Sequence, residues 1–145
     1  MTPNEETEVR RARVLLVDDE VAFTTNMSKI LARRGFEVRA VNDGESAVEA
    51  IEDEEYDVVI LDLRMPGMDG MAALKVMKRK RPLLEVIILT GHGSVESGIQ
   101  GMNLGAFDYA MKPIQISELQ EKIEEAFARK LLQEGTTRKT ERGGQ

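Results

Sequence analysis

Short aliphatic runs alternate along this chain with longer stretches of helical spacing. The runs are V-L-L-V at 14–17, F-E-V-R-A-V at 36–41, V-V-I-L at 58–61, E-V-I-I-L at 85–89 and A-F-D-Y-A-M at 106–111. Their β-branched and aliphatic content, bounded by Asp, Gly and Pro, predicts strands. The first, third and fourth are apolar almost throughout, the pattern of strands covered on both faces, whereas the second and fifth mix in polar residues as edge strands do. Between the runs, Phe23, Met27, Ile30 and Leu31, then Ala47, Val48 and Ile51, then Met71, Leu74 and Met77 fall on helical stripes. A last stripe of Ile116, Leu119, Ile123, Ala126 and Phe127 predicts a closing helix from about Ile116, with Ser117 and Gln120 spaced as a capping box.

Parallel strands need long, right-handed crossovers, so strands alternating with helices predict an α/β fold: a three-layer, doubly wound sandwich around one parallel sheet. The pattern alone leaves the strand order open. Residues 1–12 read as a flexible N-terminal segment, 13–131 as the domain, and 132–145 as a polar, Gly-bearing tail too short for an output domain. The helix after Gly93 is unusual, since S-V-E-S-G-I-Q-G-M-N-L-G places Gly98 and Gly101 inside it. Each interior Gly costs roughly 0.8–1.0 kcal/mol against Ala. Close packing on a neighbour and a marginal, shiftable helix both explain such a cost, and the second is the expectation.

Composition narrows the function. The 145 residues carry 26 acidic and 20 basic side chains, a net charge of −6 that opposes unspecific attraction to nucleic acid or anionic membranes. There is no cysteine, which excludes disulfides, thiolate zinc sites and thiol catalysis. No apolar run approaches the roughly 20 residues needed to span a bilayer, and the expected location is the cytoplasm.

In open parallel sheets ligands bind beyond the carboxyl ends of the strands. There the sequence places Asp18, Asp19 and Glu20 after the first run, Asp62 after the third, Thr90 after the fourth, and Lys112 with Pro113 after the fifth. Either Asp18 or Asp19 alone would serve to cap the following helix. Together with Asp62 they form a set of like charges that needs neutralising, and a hard cation plus Lys112 would do so. Oxygen-only ligands suit Mg²⁺ or Mn²⁺. Asp62 would then keep one carboxylate oxygen free as a nucleophile toward phosphorus, with Thr90 and Lys112 stabilising the transferring phosphoryl group.

These residues stand in V-L-L-V-D-D-E at 14–20, V-I-L-D-L-R-M-P-G-M-D-G at 59–70, I-I-L-T-G at 87–91 and F-D-Y-A-M-K-P at 107–113. In that order and spacing the chain resembles a response-regulator receiver domain of two-component signalling. The resemblance implies a flavodoxin-like sheet of order 2-1-3-4-5 and a cis bond between Lys112 and Pro113. It makes Asp62 the phosphoacceptor, Asp18 and Asp19 the acidic pair with Asp19 foremost as magnesium ligand, and the Arg64 backbone carbonyl a further ligand. Thr90 and Tyr109 become the switch pair, Lys112 the phosphoryl-binding lysine, and Arg64 and His92 the positions that tune dephosphorylation. It implies a sensor histidine kinase or phosphotransfer protein as donor and self-catalysed transfer and dephosphorylation. The output would be a changed helix 4, strand 5 and helix 5 surface, read by an unidentified downstream protein or by a second copy. T-G-H-G at 90–93 and L-G-A-F-D-Y-A-M-K-P are most similar to receivers of enhancer-binding activators, which carry an ATPase and a DNA-binding domain after the receiver.

Three other functions compete. A dehalogenase-type phosphatase also uses Asp, Thr, Lys and magnesium, but its Asp-x-Asp motif is broken here by D-L-R at 62–64. A flavin-binding relative would need a Ser/Thr-rich phosphate loop after the first strand, and D-D-E stands there instead. An adaptor that works without phosphorylation is expected to have lost part of the acidic set, which is complete here.

Overall fold

The computed structural model describes residues 10–143, with side chains described over residues 10–135. The elements run β1 (Arg13–Val17), α1 (Val21–Arg33), β2 (Glu37–Val41), α2 (Gly44–Asp53), β3 (Val58–Leu61), α3 (Gly70–Lys80), β4 (Glu85–Thr90), α4 (Val95–Asn103), β5 (Asp108–Met111) and α5 (Ile116–Gly143). All strand pairs are parallel and the sheet order is β2-β1-β3-β4-β5. The two runs with mixed polarity are therefore the edges, and the three apolar runs are the centre.

The period of two along each central strand divides the core. Leu15, Val17, Val59, Leu61, Val86 and Ile88 face one way, onto Ala47, Ala50 and Ile51 of α2 and Ala73, Leu74 and Met77 of α3. Val14, Leu16, Val58, Ile60, Ile87 and Leu89 face the other way, onto Met27 and Leu31 of α1 and Leu119, Ile123 and Ala126 of α5. Asp43 caps α2 by accepting from the Ser46 amide at 2.7 Å, and Asp69 caps α3 by accepting from the Ala72 amide at 2.9 Å. None of the described helices is long and apolar enough to cross a membrane.

Four details depart from the sequence pattern. Ile30 is exposed, and Thr24 takes the buried position on α1. Ser117 lies inside α5 rather than capping it, and Gln120 accepts a hydrogen bond from Arg34 at 3.0 Å. The same helix continues through Gly143, well past the last residue of the apolar stripe, across a stretch that has no proline to end it. At the other end, residues 10–12 belong to the folded domain: Ala12 is buried and the Arg10 guanidinium pairs with both Asp57 carboxylate oxygens at 2.7 and 2.8 Å. The rest of the expected N-terminal segment, 1–9, lies outside the described residues.

Close packing accounts for one of the two glycines inside α4. A Cβ on Gly101 would overlap the Ile88 side chain, and one on Gly98 would touch the Tyr109 ring at 3.7 Å. Gly101 thus lets α4 lie close against β4, whereas the contact at Gly98 is an ordinary one that an alanine would also make.

Candidate functional site

The first and third strands end in acids whose main chains stay on the sheet. The Asp18 amide donates to the Val41 carbonyl at 3.2 Å, and the Asp62 amide to the Val17 carbonyl at 3.0 Å. The ladder thus continues one residue past each strand and fixes both backbones. Asp18 is 1% exposed and Asp62 3% exposed, while Asp19 is open to solvent. One carboxylate oxygen from each of Asp18, Asp19 and Asp62 lies within 4.8 Å of the other two. For the buried pair, Asp18 and Asp62, such a separation corresponds to a repulsion of about 3 kcal/mol at an effective dielectric of about 20.

Capping does not account for these acids. The N-cap of α1 is Glu20, and no side chain caps that helix. Asp18 Oδ1 accepts from the Glu20 amide at 2.9 Å and Asp18 Oδ2 from Lys112 Nζ at 2.5 Å, whereas Asp62 Oδ1 accepts from its neighbour Leu63 N at 2.9 Å. Burial pushes the Asp18 carboxyl above the usual carboxylate range, the negative charge of Asp62 adds to the push, and the bond from Lys112 only partly opposes it. Burial works to lower Lys112, yet its bond to Asp18 and the charges of Asp18 and Asp62 outweigh that and hold the ammonium above its ordinary value.

Lys112 follows β5, and its amide donates to the Thr90 carbonyl at 2.9 Å, joining the ends of β4 and β5. The Lys112–Pro113 bond is cis. Lys112 Nζ also lies 3.3 Å from Glu20 Oε1 and 4.0 Å from the centre of the Phe23 ring. Thr90 is fully buried, and its Oγ1 accepts from the His92 amide at 3.1 Å, leaving the hydroxyl proton free to donate elsewhere. After Asp62 the chain turns at Pro66 and Gly67, whose φ of +76° favours glycine, and folds back so that Gly70 N donates to Leu63 O at 2.9 Å. A Cβ on Gly70 would overlap the Asp62 carbonyl oxygen, so α3 starts directly against the acid's own backbone.

The remaining predicted residues fall in two places. Arg64 and His92 are exposed and line one cleft with Asp19, Met65 and Met71. Tyr109 is half-buried, away from the acids, with its ring against Gly98. Its hydroxyl accepts from Ser94 N at 3.1 Å and shares a hydrogen bond with Ser97 Oγ at 2.7 Å, tying β5 to the capping box that starts α4. Two neighbours of Lys112 carry no distinctive local signal. Glu20 reads as the third acid of a run, and Phe23 reads only as a core position on α1.

The cluster fits a hard divalent cation: three carboxylates, two of them buried, converge on one point with a single ammonium to offset them. All of its donors are oxygens, and neither thiolate nor imidazole takes part.

Comparison with known proteins identifies the family and matches the fold. The family model described as "Response regulator receiver domain" matches residues 14–124. The transcriptional regulatory protein ZraR of Escherichia coli (strain K12) is 36% identical over 115 residues, 79% of this chain and 26% of that protein. The crystal structure of NtrX from Brucella abortus in complex with ADP superposes with a TM-score of 0.82 at 33% identity, over 88% of this chain and 29% of that one. A response regulator receiver domain protein (CheY-like) from Methanospirillum hungatei JF-1 gives a TM-score of 0.82 at 31% identity, over 85% of this chain and 98% of its own. The chain spans about a quarter of the length of the curated relatives it matches.

Proposed function

The chain belongs to the response-regulator receiver family, and on that premise we propose that Asp62 accepts a phosphoryl group from a phosphohistidine of a sensor kinase or phosphotransfer protein. The observation that carries the reading is the convergence of Asp18, Asp19 and Asp62 within 4.8 Å, with Lys112 bonded to Asp18. The Asp62 carboxylate oxygen attacks phosphorus, the P–N bond to the donor imidazole breaks, and that electron pair leaves with the imidazole. Lys112 and the Thr90 hydroxyl donate to phosphoryl oxygens, holding charge that the leaving group would otherwise have to pull away. Asp18, Asp19, Asp62 and the Arg64 carbonyl would hold Mg²⁺ or Mn²⁺, which supplies charge neutralisation between the acids and the incoming phosphate. Water ends the phosphorylated state by attacking phosphorus, breaking the P–O bond to Asp62 and releasing inorganic phosphate, and Arg64 and His92, at the mouth of the cleft, set how easily it arrives. The domain promotes its own phosphorylation and dephosphorylation and serves as a signalling module rather than an enzyme with a free substrate.

The output runs through Thr90. When its hydroxyl turns to the phosphoryl group it gives up the His92 amide, loosening the loop that leads to Ser94 and Ser97 and so to Tyr109. The face formed by α4, β5 and α5 carries the exposed apolar residues Val95, Ile99, Met102 and Met111. Such a patch suits a protein partner or a second copy of the chain. Sizing chromatography after treatment with acetyl phosphate and Mg²⁺ is expected to show a larger species. An unchanged elution volume for fully modified protein removes the second copy as occupant.

The direct test of the acceptor chemistry is intact mass analysis after incubation with acetyl phosphate. The chain is expected to gain the mass of one phosphoryl group with Mg²⁺ present and none after chelation. Unmodified protein in Mg²⁺, or equal modification with a chelator, overturns the reading.

A further inference from the structure

Lys112 has an unusual set of neighbours for a lysine that must change partners. Its ammonium bonds Asp18 at 2.5 Å, reaches the more exposed Glu20 at 3.3 Å and lies 4.0 Å above the centre of the Phe23 ring. Both anionic contacts change once the site is loaded: Asp18 belongs to the acidic cluster that would hold the cation, and a phosphoryl group competes with Glu20 for the same ammonium. The ring is neutral. It attracts the cation through its quadrupole without neutralising it and does not compete for phosphate or metal.

The placement is specific. Phe23 sits in the first turn of α1, three residues after Glu20, and packs half-buried against the core beside α5. With Met27, Pro113 and Ile114 it lines a cleft that also takes the Lys112 side chain. The ring therefore lies under Nζ at the place where the ammonium bonds Asp18. Resting on the phosphoacceptor reading, we infer that Phe23 is a positioning residue for Lys112, a face on which the ammonium pivots while its anionic partners are exchanged. A purely apolar residue would fill the same volume but leave the ammonium bound to Asp18 or free in water during that exchange.

The test compares wild type, F23L and F23Y. F23L keeps an apolar side chain and removes the ring, whereas F23Y keeps the ring, whose extra hydroxyl can extend into the cleft. Without any phosphodonor, the side-chain resonances of Lys112 are expected upfield in wild type and F23Y through the ring current, and near random-coil positions in F23L. With acetyl phosphate and Mg²⁺, F23L is expected to take up phosphoryl about 2–5-fold more slowly, the range of a partly exposed cation–π contact. F23Y is expected to restore the rate. Thermal unfolding of each variant separates this from a packing defect, and F23M replaces F23L if the latter does not fold. Equal rates for F23L and wild type overturn the inference, as does a rate in F23Y as low as in F23L. Wild type that takes up no phosphoryl group at all is a different result: it removes the phosphoacceptor reading and the inference with it, while the Lys112 resonances still report the ring contact.

Discussion

Asp62→Asn is expected to abolish phosphoryl uptake from acetyl phosphate while leaving the fold intact. Asparagine matches the shape of aspartate, keeps an oxygen to accept from Leu63 N, and leaves the main-chain bond from residue 62 to Val17 unchanged. What it loses is the anionic oxygen that attacks phosphorus; an amide oxygen is a poor nucleophile, and the adduct it would form is not stable. Replacing Asp62 also removes a negative charge that raises the neighbouring Asp18 carboxyl, so in metal-free buffer the variant is expected to melt no lower than wild type. Intact mass and a thermal scan on the same sample read both effects. An undiminished phosphoryl adduct on the variant would move the acceptor to another residue, Asp18 or Asp19 first. A melting temperature well below wild type would show that Asp62 is a structural acid instead.

The acids were legible because strand ends are legible. V-L-L-V and V-V-I-L are apolar enough to demand burial on both faces, and Asp18 and Asp62 then have to lie at the rim of the sheet, where parallel folds bind ligands. The edge positions of β2 and β5 were readable for the same reason, from the polar residues in F-E-V-R-A-V and A-F-D-Y-A-M. The strand order was not contained in the pattern; it came with the family resemblance, because periodicity says which faces are covered and not which strand lies beside which.

Long-range polar contacts left no local trace. Asp57 looks like a turn residue before β3, yet it is 1% exposed and bonded to Arg10, Arg13 N and Lys130. Glu85 looks like the polar first residue of a strand, yet it is fully buried and paired in two places with Arg129. Each partner lies more than forty residues away along the chain, beyond any capping or helix-pair spacing. The Phe23–Lys112 contact was hidden in the same way, since an aromatic on an amphipathic helix reads as core whether or not a cation rests on it. The length of α5 was obscured for another reason: its apolar stripe ends at Phe127, while the backbone stays helical through Gly143 across a polar stretch with glycines and threonines that reads as a tail.

The buried acid at the far end of the sheet carries the largest expected effect on stability. Asp57→Asn is expected to destabilise the domain by about 3 kcal/mol, the low end of the range for breaking a buried ion pair by removing one partner. Lys130 is 7% exposed and would keep its bond to Glu134 at 2.8 Å, while one neutral amide oxygen would stand where two carboxylate oxygens now accept from Arg10, Arg13 N and Lys130. Retention of Glu134 places the loss at the low end. Urea unfolding measures it, and the second variant, Asp57→Asn with Lys130→Met, is expected to recover part of it because the stranded cation is gone. The pH dependence has a defined sign. Burial works to raise the Asp57 carboxyl, but the bonds from Arg10, Arg13 N and Lys130 prevail and hold it below the usual carboxylate range. Its folded value is thus below its unfolded one, so its contribution is complete above the unfolded value of about 3.9 and is lost as pH falls through the folded value. Wild type is therefore expected to lose stability below about pH 4 more steeply than Asp57→Asn, which has no such carboxyl to protonate. Parallel acid limbs for the two proteins, or an unfolding free energy in Asp57→Asn equal to wild type at neutral pH, would show that the Arg10–Asp57–Lys130 contacts contribute nothing net to holding α5 and the N-terminal segment on the sheet.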